Sequence, residues 1–191
     1  CGVAEQNMMG IAAGLAATGK IPFVSSYAVF SPGRSWDQLR VSVCYSNLNV
    51  KVVGAHTGLS VGPDGVTHQA LEDIAITRVL PNMTVVVPCD VIETRKATLA
   101  GAKFKGPYYL RITREKTPII TREDNLFEIG RAEVLFESGH DAGIVACGPL
   151  VYQALQAAKE LEKEGIGVTV INNHTIKPMD KATILKVARD C

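Results

Sequence analysis

The sequence predicts an α/β protein made of two three-layer α/β/α domains, each built on a mainly parallel sheet. Short β-branched runs alternate along the chain with amphipathic segments, which is the pattern of helices that cover the faces of parallel sheets. A polar stretch with few apolar residues, 113–127, separates two such series. The length of 191 residues allows one large domain or two small ones, and the two series favour two.

The individual elements follow from apolar periodicity along the chain. Met8, Ile11 and Leu15 recur at helical spacing, and several later segments show the same stripe before a Gly or Pro that ends it. Strands are predicted where short β-branched runs lie between polar residues. Helices are expected over residues 4–18, 34–47, 71–79, 91–104, 150–164 and 180–190. Strands are expected over residues 21–25, 50–55, 84–87, 108–112, 142–146 and 168–171.

The polar stretch also sets the expected domain boundary, which gives domains of residues 1–122 and 123–191. Open parallel sheets bind their ligands at the carboxyl ends of the strands. A binding site is therefore expected in the loops that follow Ser25, Ala55 and Ile112.

Composition excludes several classes of protein. Hydrophobic residues are 47% and charged residues 20% of the chain, which argues against disorder, collagen and coiled coil. The formal net charge is +1, and with no basic run we expect neither nucleic acid nor a membrane surface as a partner. The five cysteines are odd in number and lack C-x-x-C spacing, so we expect no disulfide framework or metal site, and a reducing cytoplasm.

Glu5 is the first candidate for chemistry. It stands at helical spacing from Met8, Met9 and Ala12, which places a carboxyl group on an apolar face. Burial there favours the neutral carboxylic acid, which can donate a hydrogen bond. The alternative is an exposed first-turn acid that the helix dipole stabilises.

The loop of residues 56–69 is the most unusual segment. His56, Asp64 and His68 lie among several glycines directly after a predicted strand. The spacing of the two histidines does not match a metal site, and the glycines form neither a P-loop nor a dinucleotide fingerprint. The segment is interpreted either as a site that recognises a hydroxylated substrate or as a turn-rich surface loop.

Aromatic and basic residues follow two other strands. Tyr27 and Phe30 come after the 21–25 strand, where they could stack on a planar ligand or belong to the core. Arg111 and Arg114 come at the end of the 108–112 strand. Arginine there suits a phosphate or carboxylate, although a solvated arginine explains the pattern equally well.

Several segments, taken together and in order, resemble the transketolase family. Its pyrimidine-binding domain is matched by CGVAEQNMMGIAAGLA, PFVSSYAVF, HTGLSVGPDGVTHQALEDIA and LRITREKTPII. From Phe127 on, FEIGRAEVL and VTVINNHTIKPMD resemble the family's C-terminal domain. The resemblance covers essentially the whole chain. It implies the thiamine-diphosphate-binding fold, and it implies thiamine diphosphate as cofactor, with Mg²⁺ on the diphosphate.

The resemblance assigns three residues to the cofactor. Glu5 falls on the glutamate that contacts N1′ of the aminopyrimidine and is expected to be catalytic. Tyr27 and Phe30 fall on the aromatic residues around that ring, with Tyr27 where phenylalanine is usual.

The resemblance assigns four residues to the substrate. His56 and His68 match the two histidines of the substrate-side loop, and both are expected to be catalytic as well. Asp64 matches the aspartate that reads a substrate hydroxyl, and Arg114 matches the arginine that reaches the sugar phosphate.

The chain departs from the family pattern at the diphosphate site. The family holds its metal with GDG and a later asparagine, but the only DG here is Asp64-Gly65, inside the substrate loop. The first family domain is expected to lack its N-terminal part and the second its C-terminal part. The resemblance therefore implies the C-terminal subunit of a split transketolase. It would share thiamine diphosphate across an interface with a diphosphate-binding partner that holds Mg²⁺, and pair with a second copy of itself in a heterotetramer.

The implied reaction is the transfer of a two-carbon ketol unit between sugar phosphates of the pentose phosphate pathway. Three alternatives stay open. DGVTHQ and LPNMTVVVPCD also resemble 1-deoxy-D-xylulose-5-phosphate synthase, whereas His56, the GLSVGPDG spacing and ALEDIA favour transketolase. The second is a non-catalytic assembly subunit with the same fold. The third is the β subunit of a 2-oxo acid dehydrogenase, for which the sugar-type loop has no explanation.

Overall fold

A computed structural model describes residues 1–191, which divide into two units. Unit 1 comprises residues 1–86 and 97–116, and unit 2 comprises residues 87–96 and 117–191. Residues 87–96 thus belong to unit 2, although the chain before and after them belongs to unit 1. The domain boundary between residues 122 and 123 stays a prediction.

Unit 1 contains a sheet in which β1, β2, β4 and β3 lie side by side in that order, and every pair is parallel. The strands are β1 (Phe23–Tyr27), β2 (Lys51–Ala55), β3 (Thr84–Val86) and β4 (Tyr108–Arg111). The helices are α1 (Glu5–Ala17), α2 (Trp36–Gln38), α3 (Asp73–Arg78) and α4 (Val91–Lys103), of which α4 begins in the range assigned to unit 2.

The core of unit 1 contains the β-branched runs of the strands and one face of α1, which packs on β1. Val52, Val85 and Val86 are fully buried in the sheet. On α1 the buried face consists of Glu5, Met9 and a row of alanines, and small side chains allow a helix to approach a sheet closely. Burial of such apolar area is the main favourable contribution to folding.

Two tyrosines of β4, on opposite faces of the sheet, are fully buried. Tyr109 lies against Gly54, where a Cβ atom would fall 2.1 Å from the tyrosine hydroxyl, so no larger residue fits at position 54. The hydroxyl of Tyr109 donates to Oδ2 of Asp73 at 2.7 Å, and that of Tyr108 donates to the carbonyl of Ala97 at 2.9 Å. Both buried hydroxyls are therefore satisfied.

Unit 2 has a three-stranded sheet in the order β5-β7-β6. β6 pairs with β7 in parallel, and β5 pairs with β7 antiparallel. Ala154 and Ala158 of the long helix pack on Val168 and Val170 of the central strand. Its elements are β5 (Glu133–Glu137), β6 (Ala142–Ala146), α5 (Leu150–Lys163), β7 (Val168–Asn172), β8 (Thr175–Lys177) and α6 (Lys181–Asp190).

The predicted α/β class with mainly parallel sheets is confirmed, and three local features differ from the expected elements. β5 and β8 were not predicted, because β5 has a Glu at each end and no fully buried residue, and β8 is only three residues long. The single helix expected over residues 34–47 is a short α2 followed by a π-helical segment, Leu39–Tyr45. No helix of the chain combines the length and apolar character that a membrane span requires.

Candidate active site

The residues predicted to form a site come together at the carboxyl ends of β1 and β2 in unit 1. Tyr27 is the last residue of β1, which extends two residues beyond its predicted end, and His56 directly follows β2. Because the two strands are parallel neighbours with Tyr27 opposite Ala55, the two side chains meet. Their rings stack with 4.1 Å between centroids and an interplanar angle of 6°.

His56 has an unusual backbone conformation. Its φ of 55° lies in the left-handed region that residues other than glycine rarely adopt. Its Nδ1 atom is buried and has no hydrogen-bond partner in the chain, although buried polar atoms are normally paired. Strain and an unused hydrogen-bonding group at one residue are typical of functional sites.

The loop after His56 brings the second histidine to the same place. It folds into two short 3₁₀ turns, Gly62–Asp64 and Val66–His68, and Gly65 between them has a φ of 76° that suits glycine. The ring of His68 lies edge-on to Phe30, with 5.2 Å between centroids. It also lies edge-on to Tyr27 at 5.7 Å, so two histidines and two aromatic residues form one cluster.

Asp64 and Arg114 are tied to this loop from both sides. The hydroxyl of Tyr27 donates to Oδ2 of Asp64 at 3.2 Å, and Nη1 of Arg114 lies 3.4 Å from the same oxygen. Arg114 also donates to the carbonyl of Val61 at 2.6 Å. The arginine therefore holds the loop, a role that the sequence did not indicate, while its side chain remains 36% exposed.

Glu5 begins α1 and is buried, with 7% of the residue exposed, so the alternative of an exposed first-turn acid is wrong. Its Oε2 accepts a hydrogen bond from Nη1 of Arg34 at 2.8 Å. Its Oε1 lies 3.4 Å from the hydroxyl of Ser26, the neighbour of Tyr27 on β1. The surroundings of Glu5 are thus less apolar than the sequence predicted.

Arg34 is the residue of this site that the sequence pattern did not single out. Its guanidinium carbon lies 4.7 Å from the ring centroid of Phe30 while its Nη1 bonds Glu5. The backbone N–H of Arg34 donates to the carbonyl of Phe30 at 2.8 Å. A spacing of four residues between an aromatic and a basic side chain is the signal that could have revealed it.

Arg111 forms a structural ion pair and is not part of an exposed anion site. Its Nε donates to Oδ2 of Asp73 at 2.8 Å, and its side chain is only 14% exposed. Asp73 is itself buried and accepts from Tyr109, so this ion pair fixes the start of α3 to β4. Of the two arginines at this end of β4, Arg114 is the more exposed.

The described side chains contain no group of three His, Cys, Asp or Glu residues arranged to hold a metal ion. The catalytic, cofactor-binding and substrate-binding roles given to the individual residues stay predictions. What the structure adds is their proximity. Seven predicted residues lie in one connected set of contacts, which Glu5 joins through Arg34: Glu5, Tyr27, Phe30, His56, Asp64, His68 and Arg114.

Comparison with known families gives two matches that together span nearly the whole chain. Residues 1–119 match the family described as "Transketolase, pyrimidine binding domain". Residues 130–190 match the family described as "Transketolase, C-terminal domain".

Comparison with individual proteins agrees. The chain is 47% identical to a protein of Methanocaldococcus jannaschii named for the C-terminal section of transketolase, over 97% of this chain and 59% of that protein. It is 45% identical to the 6-deoxy-6-sulfo-D-fructose transketolase subunit of Clostridium sp. (strain MSTE9), over 98% of this chain and 58% of the relative. A solved structure described as "Split gene transketolase, inactive beta4 tetramer" superposes with a TM-score of 0.91 at 46% identity, over 99% of this chain and 61% of that one. The chain thus spans about three fifths of the length of the relatives it matches.

Proposed function

This chain belongs to the transketolase family, and we propose that it acts as the pyrimidine-binding subunit of a split transketolase. The proposed reaction is the thiamine-diphosphate-dependent transfer of a two-carbon ketol unit between sugar phosphates. The observation that carries the proposal is the convergence of an acid, two aromatic residues, two histidines and an arginine at the carboxyl ends of β1 and β2. Such an edge is where parallel sheets place their ligands.

The residues at this edge fit the aminopyrimidine end of the cofactor. Oε1 of Glu5 has only a long contact to Ser26, at 3.4 Å, so it can bond a ring nitrogen. Phe30 is half-buried and can cover one face of a ring. When bound, thiamine diphosphate supplies the acidic carbon that takes up and releases the two-carbon unit.

Glu5 would share a proton between its Oε1 and N1′ of the aminopyrimidine. This hydrogen bond favours the tautomer that the chemistry needs, because it stabilises a proton at N1′. Tyr27 and Phe30 would orient the ring and exclude water from it. An aromatic wall lowers the local dielectric and so strengthens the bond to Glu5.

The loop residues would bind the sugar. His56 and His68 would donate to or accept from the oxygens whose charge changes during the reaction, a role that depends on fixed geometry. Asp64 would read a hydroxyl, and Arg114 would bind the terminal anion through charge-assisted hydrogen bonds. The left-handed backbone of His56 and its buried Nδ1 without a partner support a functional role for this residue.

The diphosphate and Mg²⁺ are assigned to a partner subunit. The family matches of this chain are to the pyrimidine-binding and C-terminal domains, and its relatives include proteins named as a section or subunit of transketolase. A related split-gene transketolase chain is described as an inactive β4 tetramer, which supports the need for a second kind of subunit. We propose two such pairs, forming a heterotetramer that acts in the cytoplasm within the pentose phosphate pathway.

Reconstitution tests the proposal. The chain is mixed with the diphosphate-binding subunit, Mg²⁺ and thiamine diphosphate, and ketol transfer from xylulose 5-phosphate to ribose 5-phosphate is measured. Activity is expected only when both subunits are present. A stable complex that binds cofactor but does not turn over would identify this chain as an assembly subunit instead.

A further inference from the structure

We propose that Arg34 is a positioning residue for the aminopyrimidine end of the cofactor, holding Glu5 and Phe30 in place with a single guanidinium group. The inference rests on the proposed function, which gives Glu5 and Phe30 their contacts to the cofactor but assigns nothing to Arg34. Two contacts of Arg34, one to each of these residues, carry it.

The first contact fixes one oxygen of Glu5 and leaves the other available. Nη1 of Arg34 donates to Oε2 of Glu5 at 2.8 Å, a distance typical of charge-assisted hydrogen bonds. Oε1 is 3.4 Å from the hydroxyl of Ser26, which is at the limit of hydrogen bonding. The carboxylate is thereby oriented with its less engaged oxygen free to bond N1′.

The second contact sets the ring of Phe30. The guanidinium carbon of Arg34 lies 4.7 Å from the ring centroid, within the range of cation–π attraction. Because Arg34 follows Phe30 by four residues and its backbone N–H donates to the Phe30 carbonyl at 2.8 Å, the two side chains lie on one face of a helical turn. Arg34 thereby holds the Phe30 ring from one of its faces.

Only a planar cation makes both contacts at once. A guanidinium group donates at its edge and stacks on its face, whereas a lysine ammonium is a point charge that does not stack in this way. The side chain of Arg34 is 47% exposed and that of Glu5 only 9%. Loss of the cation would leave a nearly buried carboxylate without its charged partner, free to rotate away from the cofactor.

The test measures cofactor binding without turnover. Thiamine diphosphate, and an analogue with carbon in place of N1′, are each titrated by calorimetry into the assembled enzyme with Mg²⁺ present. The ratio of the two affinities reports the bond between Glu5 and N1′. Arg34→Met should lower this ratio by about tenfold, because one charge-assisted hydrogen bond would be misplaced. Arg40→Met removes an equal charge from an exposed position and should leave the ratio at its wild-type value.

Each remaining outcome decides between the proposals. If Arg34→Met keeps the wild-type ratio while Glu5→Gln loses it, Arg34 does not position Glu5 and this inference fails alone. If Glu5→Gln also keeps the ratio, Glu5 does not contact N1′ and the proposed function fails with it. If circular dichroism shows that Arg34→Met is unfolded, Arg34→Lys replaces it. Lysine keeps the charge but loses the stacked plane, so an intermediate loss is expected, and a wild-type ratio would overturn the proposal.

Discussion

Unit 1 has a group of ionisable side chains at the carboxyl ends of two strands, whereas the carboxylates Asp90 and Asp180 of unit 2 tie segments of the chain to one another. Oδ2 of Asp90 accepts hydrogen bonds from the backbone N–H groups of Ile120 and Thr121, at 2.9 and 2.7 Å. Its Oδ1 accepts from the backbone N–H of Glu93 at 2.9 Å. Burial alone would raise the pKa of Asp90, but these hydrogen bonds outweigh burial and hold the pKa below its usual value.

Asp180, at the start of α6, also ties separate segments of the chain together. It accepts from the backbone N–H of Ala132 at 3.0 Å and from that of Thr183 at 3.0 Å. These hydrogen bonds, led by the one from Ala132, lower the pKa of Asp180 to about 2. The carboxylate is a helix cap whose bonding capacity is used within the chain.

The site of unit 1 differs because two of its ionisable groups have an atom with no hydrogen-bond partner or with only a long contact. Nδ1 of His56 has no partner, and Oε1 of Glu5 has only a long contact. Unit 2 also has unpartnered atoms, the amide oxygens of Asn172 and Asn173, but these groups do not titrate. Outside the site, Oδ1 of Asp73 also lacks a partner, but Oδ2 of Asp73 accepts hydrogen bonds from two side chains. The candidate site is therefore distinguished by groups with unused capacity that lie together at the carboxyl ends of β1 and β2.

The largest expected effect tests this distinction at Glu5. Glu5→Gln keeps the size of the side chain but removes the acid, so turnover of the assembled enzyme should fall by roughly 10²–10⁴-fold. The melting temperature should hardly change, because the freed Arg34 is half exposed and can be solvated. Steady-state kinetics and thermal unfolding check both parts, and an active variant would remove Glu5 from the mechanism.

At Asp90 in unit 2 the expected effect is on stability. Asp90→Ala leaves several buried N–H donors without an acceptor and should lower the free energy of unfolding by roughly 2–4 kcal/mol. Asp124→Ala is the control, since Asp124 forms an exposed ion pair with Arg122 and should cost less than about 1 kcal/mol. Urea unfolding measures both. Equal costs for the two variants would contradict a structural role for Asp90.

The free energy of unfolding is expected to depend on pH because of His174. Burial lowers the pKa of this histidine to about 4, from 6.5, so the unfolded chain binds the proton more tightly than the folded one. The contribution of neutral His174 to the free energy of unfolding is therefore complete above pH 6.5. It is lost as the pH falls toward 4, by up to about 2–3 kcal/mol. Urea unfolding of unit 2 at several pH values measures this slope. His174→Gln should flatten it and His140→Gln, at an exposed position, should not; a slope that survives His174→Gln would assign it to another group.

A smaller effect is expected at the substrate end of the site. Arg114→Ala should raise KM for phosphorylated donors by ten- to about a hundredfold and spare unphosphorylated donors, because one charge-assisted bond is lost. Asp64→Ala should instead weaken discrimination between hydroxyl configurations. Since Arg114 also holds the loop through Val61, equal losses on both donor types would show that the loop contact is its main role.

The fold could be predicted from the sequence wherever periodicity was strong. β6 was predicted at its observed bounds, and α5 and α6 within one residue, because their apolar residues repeat over a whole element. β5 was not predicted, because its apolar run is only three residues long, lies between two glutamates and has no fully buried residue.

The sequence predicted which residues would lie near one another at the carboxyl ends of the strands, but not the contacts among them, and the roles of these residues stay predictions. The resemblance identified Glu5 and Arg114, yet the pairing of Glu5 with Arg34 and the hold of Arg114 on Val61 depend on segments that are distant in sequence. The same holds for Arg111, for which an anion ligand and a solvated arginine were equally open, and which instead pairs with buried Asp73. Tertiary pairing decides whether an arginine is structural or free, and spacing does not encode it.

The central claim is that this chain holds only the aminopyrimidine end of thiamine diphosphate. Calorimetric titration of thiamine diphosphate with Mg²⁺ into this chain alone tests it most directly. We predict no tight binding by the chain alone and recovery of tight binding once the diphosphate-binding subunit is added, because a cofactor held at one end loses most of its contacts. Micromolar or tighter binding by the isolated chain would contradict the split-site account.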